Sequence, residues 1–257
     1  MPSKNFTNFD LKPSISDTDY IVGYKTDGTA EYRTTFGDLV NYLKPYLEEL
    51  PPLSPIFNYT TFSSITNLSL VGVAAQVSNY IRLTPATGSS VGNVYYSSAL
   101  QFNKNFSLQW SLSVDRLNGA DGFTLQWTNS NTAVGGVGGD KARVMQTTTL
   151  HAISFDQFTY NTVTWWYKNS SPVTTSLSAQ PAAASLRQQV FYWADYNHGN
   201  QTMKFYYNTT NSKPLTAANT FNQFVFDNNS YYIGIGASTG GTVQIHDFKS
   251  WSLSMLI

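Results

Sequence analysis

Phe106-Ser107-Leu108-Gln109-Trp110-Ser111-Leu112-Ser113-Val114, followed after a short gap by Ala120-Asp121-Gly122-Phe123-Thr124-Leu125-Gln126-Trp127, decides the fold. In both runs apolar residues alternate with Ser, Gln or Thr. That period of two marks half-buried antiparallel strands. Asp121-Gly122 opens the second run with a pair that is by itself an ordinary turn signal.

Similar runs recur on both sides. They include Val94–Tyr96, Ala152–Phe158, Thr162–Tyr167, Gln188–Tyr196, Met203–Tyr207, Tyr231–Gly236 and Thr242–Leu253. Gly, Asn, Ser and Pro clusters separate them, and helical periodicity is absent from Phe57 onward. A segment of about 200 residues can bury roughly 70% of its unfolded surface. Residues 57–257 therefore read as an all-β, two-sheet antiparallel jelly-roll sandwich.

Composition narrows the function. The 257 residues carry 15 Lys+Arg and 15 Asp+Glu, a net charge of +0, which argues against a nucleic-acid surface. No run of about 18 apolar residues exists, so membrane insertion is not expected. Cys 0 removes disulfides and thiolate chemistry. Met1-Pro2-Ser3-Lys4-Asn5 does not open the apolar run of a secretory signal. Phosphate-loop, dinucleotide and zinc-protease motifs are missing.

The charges divide the chain. Residues 1–50 hold 5 Lys+Arg against 8 Asp+Glu; from Phe57 onward the balance is 10 against 7, without a single Glu. The change falls at Leu50-Pro51-Pro52-Leu53-Ser54-Pro55, so residues 51–56 are expected to be a semi-rigid linker. Before it, residues 20–34 predict a hairpin around Asp27-Gly28, and residues 36–48 a helix capped by Thr35 with Asp38 near its positive end. Pro45 should bend or shorten that helix. Such a segment is too small to bury its own apolar face, which predicts that it packs on a copy of itself, as a homo-oligomer, or on a larger assembly.

Five blocks, in order, resemble the L-type (legume-type) lectin family. They are Gly92–Phe102, Phe106–Val114 with Ala120–Phe123, Gly135–Gly139, Ala152–Phe158 with Asn161, and Tyr232–Gly240 leading to His246–Leu253. The resemblance implies a concanavalin-like sandwich with a sugar site in the loops at one curved sheet. Asp121 would follow Ala120 across a cis peptide and accept sugar hydroxyls. A glycine of the Gly135–Gly139 loop, Gly138 or Gly139, would donate a backbone N–H, and Asn161 its amide. Phe158, Tyr160 or Trp165 would lie under the sugar ring, and the loop from Ala237 to Gly241, with Ser238 and Thr239, would set specificity.

The family also implies a metal pair, and here the chain departs from it. Ser154 stands where the family usually has Glu, the later Asp and His are missing, and Asn161 lies five residues after Asp156 instead of four. The transition-metal site is therefore expected to be absent. One Ca2+ held weakly by Asp156 and Asn161 is the cofactor left to expect. The alternative for Asp156 is a structural acceptor of loop N–H groups.

Residues 16–39 resemble the attachment segments of phage and viral fibre proteins. Together the two resemblances imply a virion fibre or spike that binds a host-surface glycan. Residues 1–50 would join virion structural proteins, a trimer is the favoured oligomer, and the virion surface is the location. The alternative is a structural virion decoration that has lost sugar binding. An enzyme is not expected: glycosidases of related jelly rolls need paired carboxylates, generally Glu, and this domain has neither Glu nor a close Asp pair.

Overall fold

The computed structural model describes residues 20–24, 31–35, 37–39, 53–115, 119–144, 149–157, 163–169, 171–177 and 188–256. The chain forms two compact units, Met1–Pro52 and Leu53–Ile257.

In the first unit β1 (Tyr20–Tyr24) pairs antiparallel with β2 (Glu31–Thr35). Residues 37–39 turn into a helix. Thr35 Oγ1 accepts the Asp38 N–H at 2.9 Å, and Asp38 Oδ2 accepts the Thr35 N–H at 3.4 Å. This reciprocal exchange occupies two of the backbone donors that a helix start leaves orphaned. The rest of the helix expected over 36–48, like the Asp27-Gly28 turn, lies outside the described residues.

The second unit is a sandwich of two eight-stranded antiparallel sheets. The front sheet has the order β13 (Ser171–Leu177), β12 (Val163–Lys168), β11 (Thr149–Asp156), β10 (Gly122–Thr128), β17 (Ser230–Ser238), β7 (Val91–Tyr96), β4 (Leu68–Gly72). A short strand, β8 (Leu100–Gln101), also pairs with β17. The back sheet has the order β16 (Asn219–Phe221), β15 (Thr202–Asn208), β14 (Gln189–Asn197), β9 (Phe106–Val114), β18 (His246–Met255), β6 (Tyr80–Thr84), β5 (Ala75–Val77). Its eighth strand, β3 (Ser54–Tyr59), pairs with β18.

Alternate residues of both sheets meet in the core, as the period of two requires. Trp110 of β9 stacks on Tyr192 of β14 at 5.3 Å and 10°. Phe123 of β10 stacks on Phe155 of β11 at 4.5 Å and 13°. Trp110, Trp127 and Trp251 are fully buried. The aromatic richness of the sequence is therefore mostly core, where each such side chain contributes about 1.5–3 kcal/mol.

Three features differ from the sequence reading. First, Ser54-Pro55-Ile56, expected in the linker, belong to β3, where Pro55 faces Ser254 across a register shift. An irregular outer strand tolerates the missing N–H of a proline. Second, β4, β5, β6, β13 and β16 were not among the strands read, because they are short or poor in aromatic alternation. Third, β10 is not half-buried: all seven of its residues are buried, although Thr124, Gln126 and Thr128 alternate with apolar neighbours. A loop covers its outer face, and that loop builds the site.

Candidate functional site

Four neighbouring front strands, β11, β10, β17 and β7, end at one level. Gly122 faces Asp156 of β11 on one side and Ser238 of β17 on the other, and Ser238 faces Val91 of β7. Asp121, Gln157, Thr239 and Ser90 are thereby the first residues beyond the sheet edge. Backbone bonds tie them: Asp121 N–H donates to Ser238 O (2.9 Å), Gln157 N–H to Asp121 O (3.0 Å) and Thr239 N–H to Ser90 O (2.8 Å). The Ala120–Asp121 peptide bond is cis. Gly122 has φ 139°, and a methyl group there would collide with the Phe155 carbonyl. The Asp-Gly pair is therefore a demand of strand pairing here.

The loop from Gly135 to Val144 folds back over the sheet as a tight return. Gly136 N–H donates to Arg143 O (2.9 Å) and Ala142 N–H to Gly136 O (3.0 Å). Polar side chains on the outer sheet face hold it. Asn93 Nδ2 donates to Ala142 O (3.0 Å) and Asn93 Oδ1 accepts the Gly135 N–H (3.1 Å). Thr124 Oγ1 donates to Lys141 O (2.8 Å), and Gln126 Oε1 accepts the Val144 N–H (2.9 Å). Asn93, Thr124 and Gln126 are fully buried. Buried polar groups are stable only when bonded, so this face specifies one loop conformation. Sequence reasoning missed all three as site-building residues. Their alternation looks like a wet face, and only the covering loop changes its meaning.

Asp121 sits where this loop meets the loop after β17. Its Oδ2 is buried and has no hydrogen-bond partner among the described residues. A methyl group on Gly240 would stand 2.9 Å from that oxygen, and one on Gly138 3.8 Å. Burial pushes the Asp121 carboxyl above the usual carboxylate range; Lys141 opposes the shift, Asp156 adds to it, and the nearby Gly240 N–H opposes it. That N–H favours the charged form electrostatically while falling short of hydrogen-bond geometry.

The structure separates the two candidate glycines. Gly138 lies at φ 62°, and its N–H is used internally by Thr239 O at 3.2 Å. No acceptor among the described residues takes the Gly139 N–H, and a Cβ on Gly139 would meet nothing within 4 Å. Ser238 and Thr239 change role as well. Both are fully buried, Ser238 Oγ donates to Gly138 O (3.0 Å) and Thr239 Oγ1 to Thr87 O (2.7 Å). They hold the loops together, and the open part of their loop begins at Gly240. Phe158, Tyr160 and Asn161 lie outside the described residues, as does the Trp165 side chain.

Of the two residues expected to hold a metal, Asn161 lies outside the described residues and Asp156 is engaged by a side chain. Asp156 is paired with Lys141, Nζ to Oδ2 at 3.2 Å, and the Lys141 and Asp156 side chains are 9% and 16% exposed. Lys141 Nζ also donates to Gly139 O at 2.8 Å. Ser154 Oγ bonds Thr124 Oγ1 at 2.7 Å and is buried. Both ring nitrogens of His246 are engaged, by Thr84 Oγ1 (2.7 Å) and Gln157 Oε1 (2.8 Å). Burial holds His246 neutral, its pKa lowered to about 3. Among the described residues no cluster of three or more His, Asp or Glu gathers as a metal site. Calcium prefers six to eight oxygens, several of them carboxylate. The described residues around Asp156 do not fit it.

The sandwich is similar to known structures. A family model described as the legume lectin domain matches residues 54–256. The lectin of Bauhinia forficata, solved in complex with GalNAc, aligns with TM-score 0.64 and 19% identity, covering 79% of this chain and 99% of that one. Arcelin-5, a lectin-like defence protein from Phaseolus vulgaris, aligns with TM-score 0.63 and 18% identity, covering 78% and 97%. The exoplasmic/lumenal domain of VIP36, in a Ca2+-bound form, aligns with TM-score 0.58 and 19% identity, covering 76% and 86%. Among curated proteins none matches the chain.

Proposed function

The chain belongs to the legume lectin domain family, a family of non-enzymatic carbohydrate-binding proteins, and on that premise we propose that it binds a glycan at the loops around Asp121. The observation that carries this reading is the buried, unpartnered Oδ2 of Asp121, set between two glycines. Burying a carboxylate oxygen without a partner costs about 1–3 kcal/mol or more, so a ligand that supplies a donor there recovers it. A sugar hydroxyl is such a donor. The Gly139 N–H, open to solvent, offers the complementary donor to a sugar oxygen. Gly240 and Gly138 place no side chain against that oxygen. One acceptor and one backbone donor at a bare loop edge suit a hydroxylated ligand better than an apolar one.

A single shallow site of this kind typically holds a monosaccharide at about millimolar strength, near −4 kcal/mol. Multivalency then decides biological affinity. The small N-terminal unit supports an oligomer, for which a trimer is our proposal, because a hairpin with one helix cannot bury its own apolar residues. Its resemblance to phage and viral fibre segments extends the reading to a virion fibre or spike. Residues 1–50 would join virion structural proteins, and the sandwich would adhere to host-surface glycans.

The test is a glycan array probed with the full-length chain and with Asp121→Asn. Binding to a defined glycan group by the wild type, lost in the variant with an unchanged melting curve, is the expected result. A folded wild type that binds no glycan would instead favour a structural virion decoration that keeps the fold without its ligand.

A further inference from the structure

The cation of this site is a side chain. We propose that the ammonium group of Lys141 stands in for the metal ion that the fold family implies, so that the site and any glycan it binds need no metal. The inference rests on the glycan-site reading only for its second half.

A cation bound at Asp156 has two physical tasks there: neutralising that carboxylate at the sheet edge and holding the covering loop by its carbonyl oxygens. Lys141 performs both. Its Nζ lies 3.2 Å from Asp156 Oδ2 and 2.8 Å from the Gly139 carbonyl oxygen. The same charge acts on Asp121. One ammonium therefore ties Asp156 to the glycine loop and acts on Asp121 through its charge alone. A compact ammonium with three donors suits this geometry.

The backbone is arranged to deliver it. Lys141 and Ala142 are both left-handed, φ 54° and 62°, although neither is glycine. Such a conformation is unfavourable for residues with a Cβ and persists only where the surroundings impose it. Here Thr124 holds the Lys141 carbonyl and Asn93 the Ala142 carbonyl. The other basic residue of the loop is committed elsewhere: Arg143 lies 3.7 Å over the Tyr167 ring and 3.6 Å from Asp140. Ser154, where the family usually has Glu, is bonded to Thr124. A divalent ion placed on Asp156 would meet a fixed positive charge at close range. The two cations exclude one another.

The test uses the full-length chain in two arms. In the first, thermal melting is followed in EDTA and in millimolar CaCl2. The wild-type curve should coincide in both. A rise of more than about 2 °C with calcium overturns the proposal, because 1 kcal/mol of linked binding shifts a domain of this size by roughly 2–4 °C. Lys141→Met should lower the melting temperature by roughly 5–10 °C through loss of the buried ion pair with Asp156. The double variant Lys141→Met/Asp156→Asn should regain most of that loss, which mere loss of lysine packing does not predict. If Lys141→Met fails to fold, the wild-type calcium response decides alone. In the second arm, glycan binding should survive EDTA in the wild type and fall at least tenfold in Lys141→Met. Binding abolished by EDTA overturns the proposal. Absence of any glycan signal overturns the glycan reading, and the melting arm still decides the role of Lys141.

Discussion

At Asp121 the demands of folding and of binding oppose each other. Its carboxyl is pushed above the usual range mainly by burial. An acid whose folded-state pKa exceeds its unfolded value favours folding more when protonated, so the charged form costs stability at neutral pH. Asp121→Asn, which removes the charge and keeps the shape, should leave the melting temperature unchanged or raise it while abolishing glycan binding. Calorimetry beside the array reads both; a large fall in melting temperature would mean that the carboxylate is structural. The pH dependence follows the same sign. Binding should weaken on mild acidification, beginning above the pH at which an ordinary Asp titrates, as the acceptor becomes protonated. Gly122 makes a different prediction. At φ 139°, with the Phe155 carbonyl in the place of a Cβ, Gly122→Ala should cost several kcal/mol and broaden or lower the urea transition.

At the scale of elements, β10 and the loop it carries behave as one piece. The sequence showed β10 as alternating, and the alternation is real: Phe123, Leu125 and Trp127 enter the core. Its polar face was unreadable, because Thr124 and Gln126 meet loop carbonyls and amides from residues 141–144, brought back across the strand. The Gly-rich loop likewise looked flexible in isolation. In the fold each glycine has a separate reason. Gly135 and Gly136 leave no room for a Cβ against Ala142 and Asp140, Gly138 is left-handed, and Gly139 is exposed to solvent. Gln126→Leu should therefore remove the Gln126 Oε1 acceptor of the Val144 N–H, while Asn93 keeps the Ala142 carbonyl, costing about 1–3 kcal/mol. Hydrogen exchange should then accelerate over residues 135–144 before the core strands. Uniform acceleration throughout the sandwich would contradict this division.

The whole molecule carries two buried neutral histidines that the front and back sheets close over. Burial lowers His151 to about 4 and His246 to about 3. A histidine with a depressed folded-state pKa contributes stability that is complete above its unfolded value and is lost as pH falls below it. The sandwich should therefore lose stability from about pH 6.5 downward, by up to roughly 1.4 kcal/mol per pH unit for each histidine. Denaturant midpoints at pH 7.5, 6 and 5 measure this; equal midpoints would mean that the rings are hydrated or charged. The two units invite a separate test. The full chain should sediment as an oligomer, and a chain beginning at Leu53 should remain folded and monomeric, since the sandwich has a closed aromatic core of its own.

Much of this architecture is written locally. A period of two across Phe106–Val114 and Gly122–Trp127 places apolar side chains on one face wherever the strand lies, so the all-β class follows from the pattern. The division near Pro52 shows in the same way, as a change in charge and a proline cluster. Asp121 stood out because its neighbours on the chain match a family pattern. What only tertiary structure decided is how the loops close over the sheet. Ser238 and Thr239 turn inward because β7 and its preceding loop stand beside them, and Gly138 spends its N–H on Thr239. Lys141 finds Asp156, fifteen residues away, because a left-handed turn and two buried side chains aim it there. Contacts between distant segments depend on closing the chain in three dimensions, and residue spacing carries no record of that closure.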